Sequence, residues 1–94
     1  MNTPTFEAFK ADALAQGFDE VLVREWAPGQ VLGTHTHPFA VKALVVSGEL
    51  ALTCDGHTRR IVAGKAFELG REVPHSEHYG PQGATFWVAR RHAG

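Results

Sequence analysis

A single cysteine in ninety-four residues excludes an intrachain disulfide, and with it the stapled scaffold of a small secreted domain. No apolar run approaches the ~18 residues that suggest a bilayer span. The opening stretch also lacks the basic start and apolar core of a secretory signal. These absences set the expectation of a cytoplasmic protein with no membrane partner. Net charge is nearly absent too. Nine Lys and Arg against ten Asp and Glu leave a formal charge of -1, which gives no field to attract a phosphate backbone or anionic lipid, so nucleic acid is not an expected partner. Internal repeats and low-complexity segments are missing as well, and the expected partner is a small molecule.

What is present is a globular composition. The chain is 44% hydrophobic and 20% charged, with six Phe, two Trp and one Tyr to fill a core. Residues 1–94 are expected to form one domain, since chains divide into separate cores only well above this size.

Thr3-Pro4 reads as a helix start and Gly17 as its stop, giving a short helix over about residues 4–16 with Phe6, Phe9, Ala13 and Leu14 on one face. Such a helix is too short to stand alone and must brace something larger. Glu20 to Trp26 reads as a strand, ended by Ala27-Pro28-Gly29. Strands then follow over Val31–His37, Ala40–Val46 and Glu49–Cys54, with Ser47-Gly48 separating the last two, and Asp55-Gly56 is a hairpin turn into His57–Val62. Ala63-Gly64, Gly70, Pro74 and Gly80-Pro81-Gln82-Gly83 continue the punctuation, and Ala84–Arg90 forms a last strand with Phe86 and Val88 on one face, Thr85 and Trp87 on the other. Turns this frequent predict an all-β barrel or jelly roll over about residues 20–90.

Candidate chemistry centres on His35-Thr36-His37-Pro38. Histidines at i and i+2 of a strand face the same side, roughly 6.5 Å apart, and can converge on one ion. A third histidine from a distant segment would complete three protein ligands with a position left open for water or substrate. Val73-Pro74-His75-Ser76-Glu77-His78 offers two candidates, His75 in an extended segment or His78 if the segment turns. His57 and His92 are read as solvated.

These residues resemble the small single-domain cupins. Gly29, His35, His37 and Gly48 fall in register with the first cupin motif, while the slot that usually holds a glutamate ligand is Val41, beside Lys42. Gly64 and Val73-Pro74-His75 match the second motif loosely, with Tyr79 or Gly80 near its asparagine. The likeness covers Val21 to Arg90 and implies a cupin-like double-stranded β-helix of two packed sheets, commonly a homodimer, with a divalent metal inside one open end held by His35, His37 and His75. It points to three-histidine cupins, among them iron dioxygenases acting on thiols or diketones.

Three neutral imidazoles leave the charge of a divalent ion uncompensated, which favours an anionic or bidentate ligand. Imidazole suits Fe, Zn, Ni and Cu alike, and Mn is a further candidate, so the residues do not select the ion. No Asp or Glu stands out as a general base: Glu49, Glu68, Glu72 and Glu77 lie near turns or strand ends, and Tyr79 is the only phenol. Cys54 shares a face with Leu50 and Leu52 as a small hydrophobe. Arg59-Arg60 and Arg90-Arg91 read as solvated pairs, with an inward arginine gripping a substrate carboxylate as the alternative. Two functions follow: a metal-dependent enzyme, either an oxygenase or a lyase or isomerase, or a non-catalytic binding or sensing module.

Overall fold

The computed structural model describes residues 5–92. One helix, α1 (Phe6–Ala15), precedes six strands: β1 (Glu20–Trp26), β2 (Val31–His35), β3 (Ala40–Cys54), β4 (His57–Val62), β5 (Ala66–Leu69) and β6 (His75–Arg91). The Thr3-Pro4 helix start lies outside the described residues. Within them α1 begins behind Thr5, whose hydroxyl accepts the Ala8 N–H at 3.1 Å as an N-cap does. It stops as expected at Gly17, where φ is +97°. The Gly17 and Phe18 amides return to the Leu14 and Ala13 carbonyls at 3.1 Å each, a Schellman closure.

Two long strands, β3 and β6, organise everything else. The first half of β3 (residues 40–48) lies between β5 and the second half of β6 (84–91), which in turn pairs with β1. The second half of β3 (50–54) lies between β4 and the first half of β6 (75–79), which pairs with β2. All pairings are antiparallel, and the result is two four-stranded layers that share their central strands. Their inner faces meet in one apolar core. Val41, Ala43 and Val45 alternate inward from β3, Phe86 and Val88 from β6, and Phe67 and Leu69 from β5, against Leu50, Leu52, Ile61 and Tyr79 of the other layer. Phe86 touches rings on both sides, Phe67 at 5.8 Å and Tyr79 at 6.4 Å.

This architecture corrects two boundaries. Ser47-Gly48 does not separate strands, nor does Gly80-Pro81-Gln82-Gly83: in each case the strand continues through and bends from one layer into the other, with register shifts at Val45/Ser47 and Gly48/Leu50. Gly48 and Gly83 have φ of +72° and +69°. A Cβ on Gly48 would fall deep inside the Gly83 carbonyl, and one on Gly83 inside the Trp26 carbonyl. Conformation and close approach therefore demand glycine at both bends. The Asp55-Gly56 hairpin is as expected, with φ of +53° and +75° at its two central residues, the combination a type I′ turn needs.

The helix braces the outer face of the β1–β5 layer. Phe6 and Phe9 pack on Trp87 with ring centres 5.7 and 5.9 Å apart, while Leu14, expected on that face, is exposed. Arg91, expected to be solvated, donates to the Gln16 carbonyl at 2.8 Å and lies over Phe18. A cation is thus placed at the helix C-terminus, where it opposes the dipole.

Candidate metal centre

Between the layers, at one open end, lies a cavity of about 110 Å³ whose wall includes His35, His37, His75 and Glu77. His35 reaches it through an irregularity. Leu32 pairs with Glu77 and His35 with His75, a shift of one residue in register. Leu32 and His35 are three apart and would otherwise face opposite sides. The extra residue in the Gly33-Thr34 step turns both inward, opposite Glu77 and His75. The expected strand over Val31–His37 therefore stops at His35, and parity along a strand is not what brings His37 in.

His37 enters from the following turn. Its carbonyl accepts the Glu72 amide at 2.8 Å, which ties the turn to the loop before β6. Its ring lies flat on Phe39, 4.9 Å away at 12°. His75 opens β6 directly after Pro74 and sits opposite both His35 and Cys54. The ring centres are separated by 4.4 Å (His35–His75), 4.8 Å (His35–His37) and 5.1 Å (His37–His75), and a nitrogen from each lies within 4.8 Å of the others.

Two of the three rings have their tautomer set by the backbone. His35 Nδ1 lies 2.6 Å from the Gly33 carbonyl and His75 Nδ1 2.9 Å from the Val73 carbonyl. A carbonyl only accepts, so each Nδ1 carries a proton, and each ring in its neutral form turns an Nε2 lone pair to the cavity. This outer support is what orients histidine ligands at metal sites. Burial, followed by the neighbouring His35 and His75 rings, holds the His37 pKa below the ordinary imidazole value and favours its neutral form. The donor set fits a divalent ion of borderline character.

Glu77 is the residue that sequence reasoning missed as a site group. It is 8% exposed, and its Oε2 lies 3.5 Å from His35 Nε2 and 3.7 Å from His75 Nε2. The Tyr79 hydroxyl donates to its Oε1. Burial first, then that bond, pushes the Tyr79 phenol far above its usual pKa, so it stays a donor. The signal was available: Glu77 stands two residues after His75, on the same strand face. The three imidazoles therefore have a buried carboxylate beside them, brought by β6, while Val41, 8% exposed, lines the cavity as apolar wall.

The other candidates fall outside. His78 is exposed, at odd parity from His75, and His57 is exposed at its hairpin. His92 is less free than expected, bonded through Nε2 to Glu20 at 3.0 Å and set against Phe39 at 5.4 Å. Cys54 is half-buried against the core and does not line this cavity. Phe39, Phe67 and Phe86 line the cavity, whereas Trp87 packs against the helix. Arg59 and Arg60 are exposed, Arg60 pairing with Glu49 at 2.5 Å. Arg90, read as solvated, lines the cavity with its guanidinium 4.7 Å from the Phe39 ring centre, and Arg24 does the same, 4.8 Å from that of Trp26.

Two layers sharing two crossing strands, with a histidine cluster at one mouth, define a double-stranded β-helix with a candidate metal centre. The chain belongs to the cupin family: the Cupin_2 cupin domain model matches residues 22–89. Among curated proteins none matches. Among solved structures it is similar to an RmlC-like cupin from Shewanella frigidimarina NCIMB 400, at 25% identity and TM-score 0.66 over 79% of this chain and 68% of that one. A structure of unknown function from Rhizobium leguminosarum bv. viciae 3841 matches at 21% identity and TM-score 0.70, over 97% of this chain and 96% of that one. A structure described as that of the DMSP lyases RdDddP and RnDddQII matches at 25% identity and TM-score 0.71 over 79% of this chain, which spans only 38% of that protein. No helix among the described residues is long and apolar enough to cross a membrane.

Proposed function

We propose that this cupin is a metal-dependent enzyme that holds one divalent ion through His35, His37 and His75 and acts on a small anionic or bidentate ligand. The observation that carries it is the pair of carbonyl-anchored imidazoles whose Nε2 atoms face one cavity. When bound, the ion would supply Lewis-acid polarisation of a substrate oxygen. The chain's own groups supply recognition. Arg24 and Arg90 stand on aromatic rings in the wall, and the Trp26 indole N–H and Arg90 Nε are buried without a hydrogen-bond partner. Guanidinium groups in such a wall suit a carboxylate or similar oxyanion. A cavity of about 110 Å³ seats a few heavy atoms beside the histidines, well below the ~300 Å³ of drug-sized sites.

Lewis-acid lyase or isomerase chemistry is the reaction class favoured. The dioxygenase reading starts from a site with no carboxylate, whereas Glu77 stands beside the imidazoles, and the similarity to a structure described as DMSP lyases supports lyase chemistry. The test begins with elemental analysis of protein purified without a metal-affinity tag. About one ion per chain is expected. His35→Ala and His75→Ala should each lose most of it while His78→Ala keeps it, and the reverse result at positions 75 and 78 overturns the assignment. Chelation should leave the far-ultraviolet β-sheet signal intact, because the apolar core forms without the ion, unlike that of a zinc finger. Turnover is then read with small carboxylates, and with oxygen uptake on thiols and diketones under Fe(II). Tight binding without turnover of any of them would instead favour a sensing module.

A homodimer belongs to the same proposal. β1 and β2 are open sheet edges, and Val23 and Val31 are 48% and 64% exposed on them. Light scattering at micromolar concentration should give twice the chain mass. A monomer mass would end this claim.

A further inference from the structure

We propose that Glu77 supplies an anionic fourth ligand to the divalent ion, so that the carboxylate absent from position 41 enters the site from β6 instead. The inference rests on the three-histidine reading above and deepens it.

Three facts converge on Glu77. Its Oε2 faces His35 Nε2 at 3.5 Å and His75 Nε2 at 3.7 Å, too far for hydrogen bonds. In the neutral form in which imidazole binds a metal, with the protons on Nδ1, no hydrogen lies between these atoms, so in that form Oε2 and the two Nε2 lone pairs repel unless a cation sits among them. Both distances suit that cation, since ligand atoms about 2.1 Å from an ion at near-tetrahedral angles lie about 3.4 Å apart, and a five-coordinate ion keeps a position for substrate. Second, no lysine or arginine among the described residues forms an ion pair with this buried carboxylate. Third, its other oxygen is already held by the Tyr79 hydroxyl, and Tyr79 is itself fixed by stacking on Trp26 at 5.2 Å. Tyr79 is thus a positioning residue for the carboxylate.

A carboxylate ligand leaves the ion with one residual positive charge rather than two and hardens the donor set, which favours Mn²⁺ relative to an all-imidazole site. Glu77→Gln keeps size and an acceptor for Tyr79 while removing the charge. Protein stripped with chelator is titrated calorimetrically with Co²⁺, Zn²⁺ and Mn²⁺, and the visible spectrum of the Co²⁺ form is recorded. Glu77→Gln should bind Co²⁺ at least tenfold more weakly, lose more affinity for Mn²⁺ than for Zn²⁺, and shift the Co²⁺ bands. Tyr79→Phe, which keeps the carboxylate but frees it, should weaken Co²⁺ binding less and shift the bands little. Should Glu77→Gln fail to fold, Glu77→Asp, with the carboxylate withdrawn by one methylene, must show the same order of losses. Wild-type Co²⁺ affinity and spectrum in the substituted protein overturn the role of Glu77 alone. Failure of the wild-type protein to bind any of the three ions overturns the histidine site with it.

Discussion

Gly83→Ala should remove a large part of the barrel's stability. Two costs coincide there. At φ of +69° a non-glycine residue pays about 1–2 kcal/mol for the left-handed conformation alone. The added methyl would also drive into the Trp26 carbonyl and come within 3.2 Å of Ala27 C and Pro28 N. Those atoms are backbone and cannot swing aside, so β1 must separate from β6 where β6 bends. A loss above ~4 kcal/mol is expected, against ~5–14 kcal/mol for a domain of this length. Gly56→Ala is the matched control. Its φ is +75°, yet nothing lies within 4 Å of the added Cβ, so only the conformational cost of about 1–2 kcal/mol applies. Urea unfolding of both variants gives the comparison, and Gly83→Ala melting beside Gly56→Ala would show that the bend tolerates a side chain.

The same bends explain how much of the fold the sequence discloses. β1 and β4 are legible to the residue, because a clear turn bounds each of them, Ala27-Pro28-Gly29 after β1 and Asp55-Gly56 before β4. β3 and β6 are not, because Ser47-Gly48 and Gly80–Gly83 carry the glycine and proline that ordinarily reverse a chain. Here they bend a continuing strand from one layer to the other. Local composition specifies a break in flat pleating, and only the pairing of distant segments decides whether that break is a turn or a crossing.

The histidine cluster shows a similar division. His35 and His37 are readable from their spacing and His75 from the preceding proline, and the structure brings these three together. The reason they meet is not readable. A one-residue bulge at Gly33-Thr34 sets the face of His35, and the His37 carbonyl bond to Glu72 sets its turn. Glu77 was hidden because Pro74 suggested a loop. Once β6 is known to begin at His75, parity alone places the acid beside the imidazoles.

Val41→Glu should destabilise the ion-free protein by several kcal/mol and recover much of that loss when a divalent ion is added. Val41 is 8% exposed and lines the cavity with the three histidines. A carboxylate there enters an apolar wall already holding Glu77, so in the absence of an ion it is either a poorly compensated buried charge or is forced to protonate. Relief from Arg90, its cross-strand neighbour, is limited, because that guanidinium already meets Glu20 at 3.3 Å. With an ion held by the histidines the new carboxylate is paired instead, so the melting temperature should rise more on adding metal than it does for the wild-type protein. An anionic ligand should bind more weakly, since a second carboxylate removes charge it would otherwise meet. Melting curves with and without Co²⁺ separate the cases. Equal destabilisation in both conditions would mean that residue 41 faces core rather than ion, and the proposed centre would have to move away from this wall of the cavity.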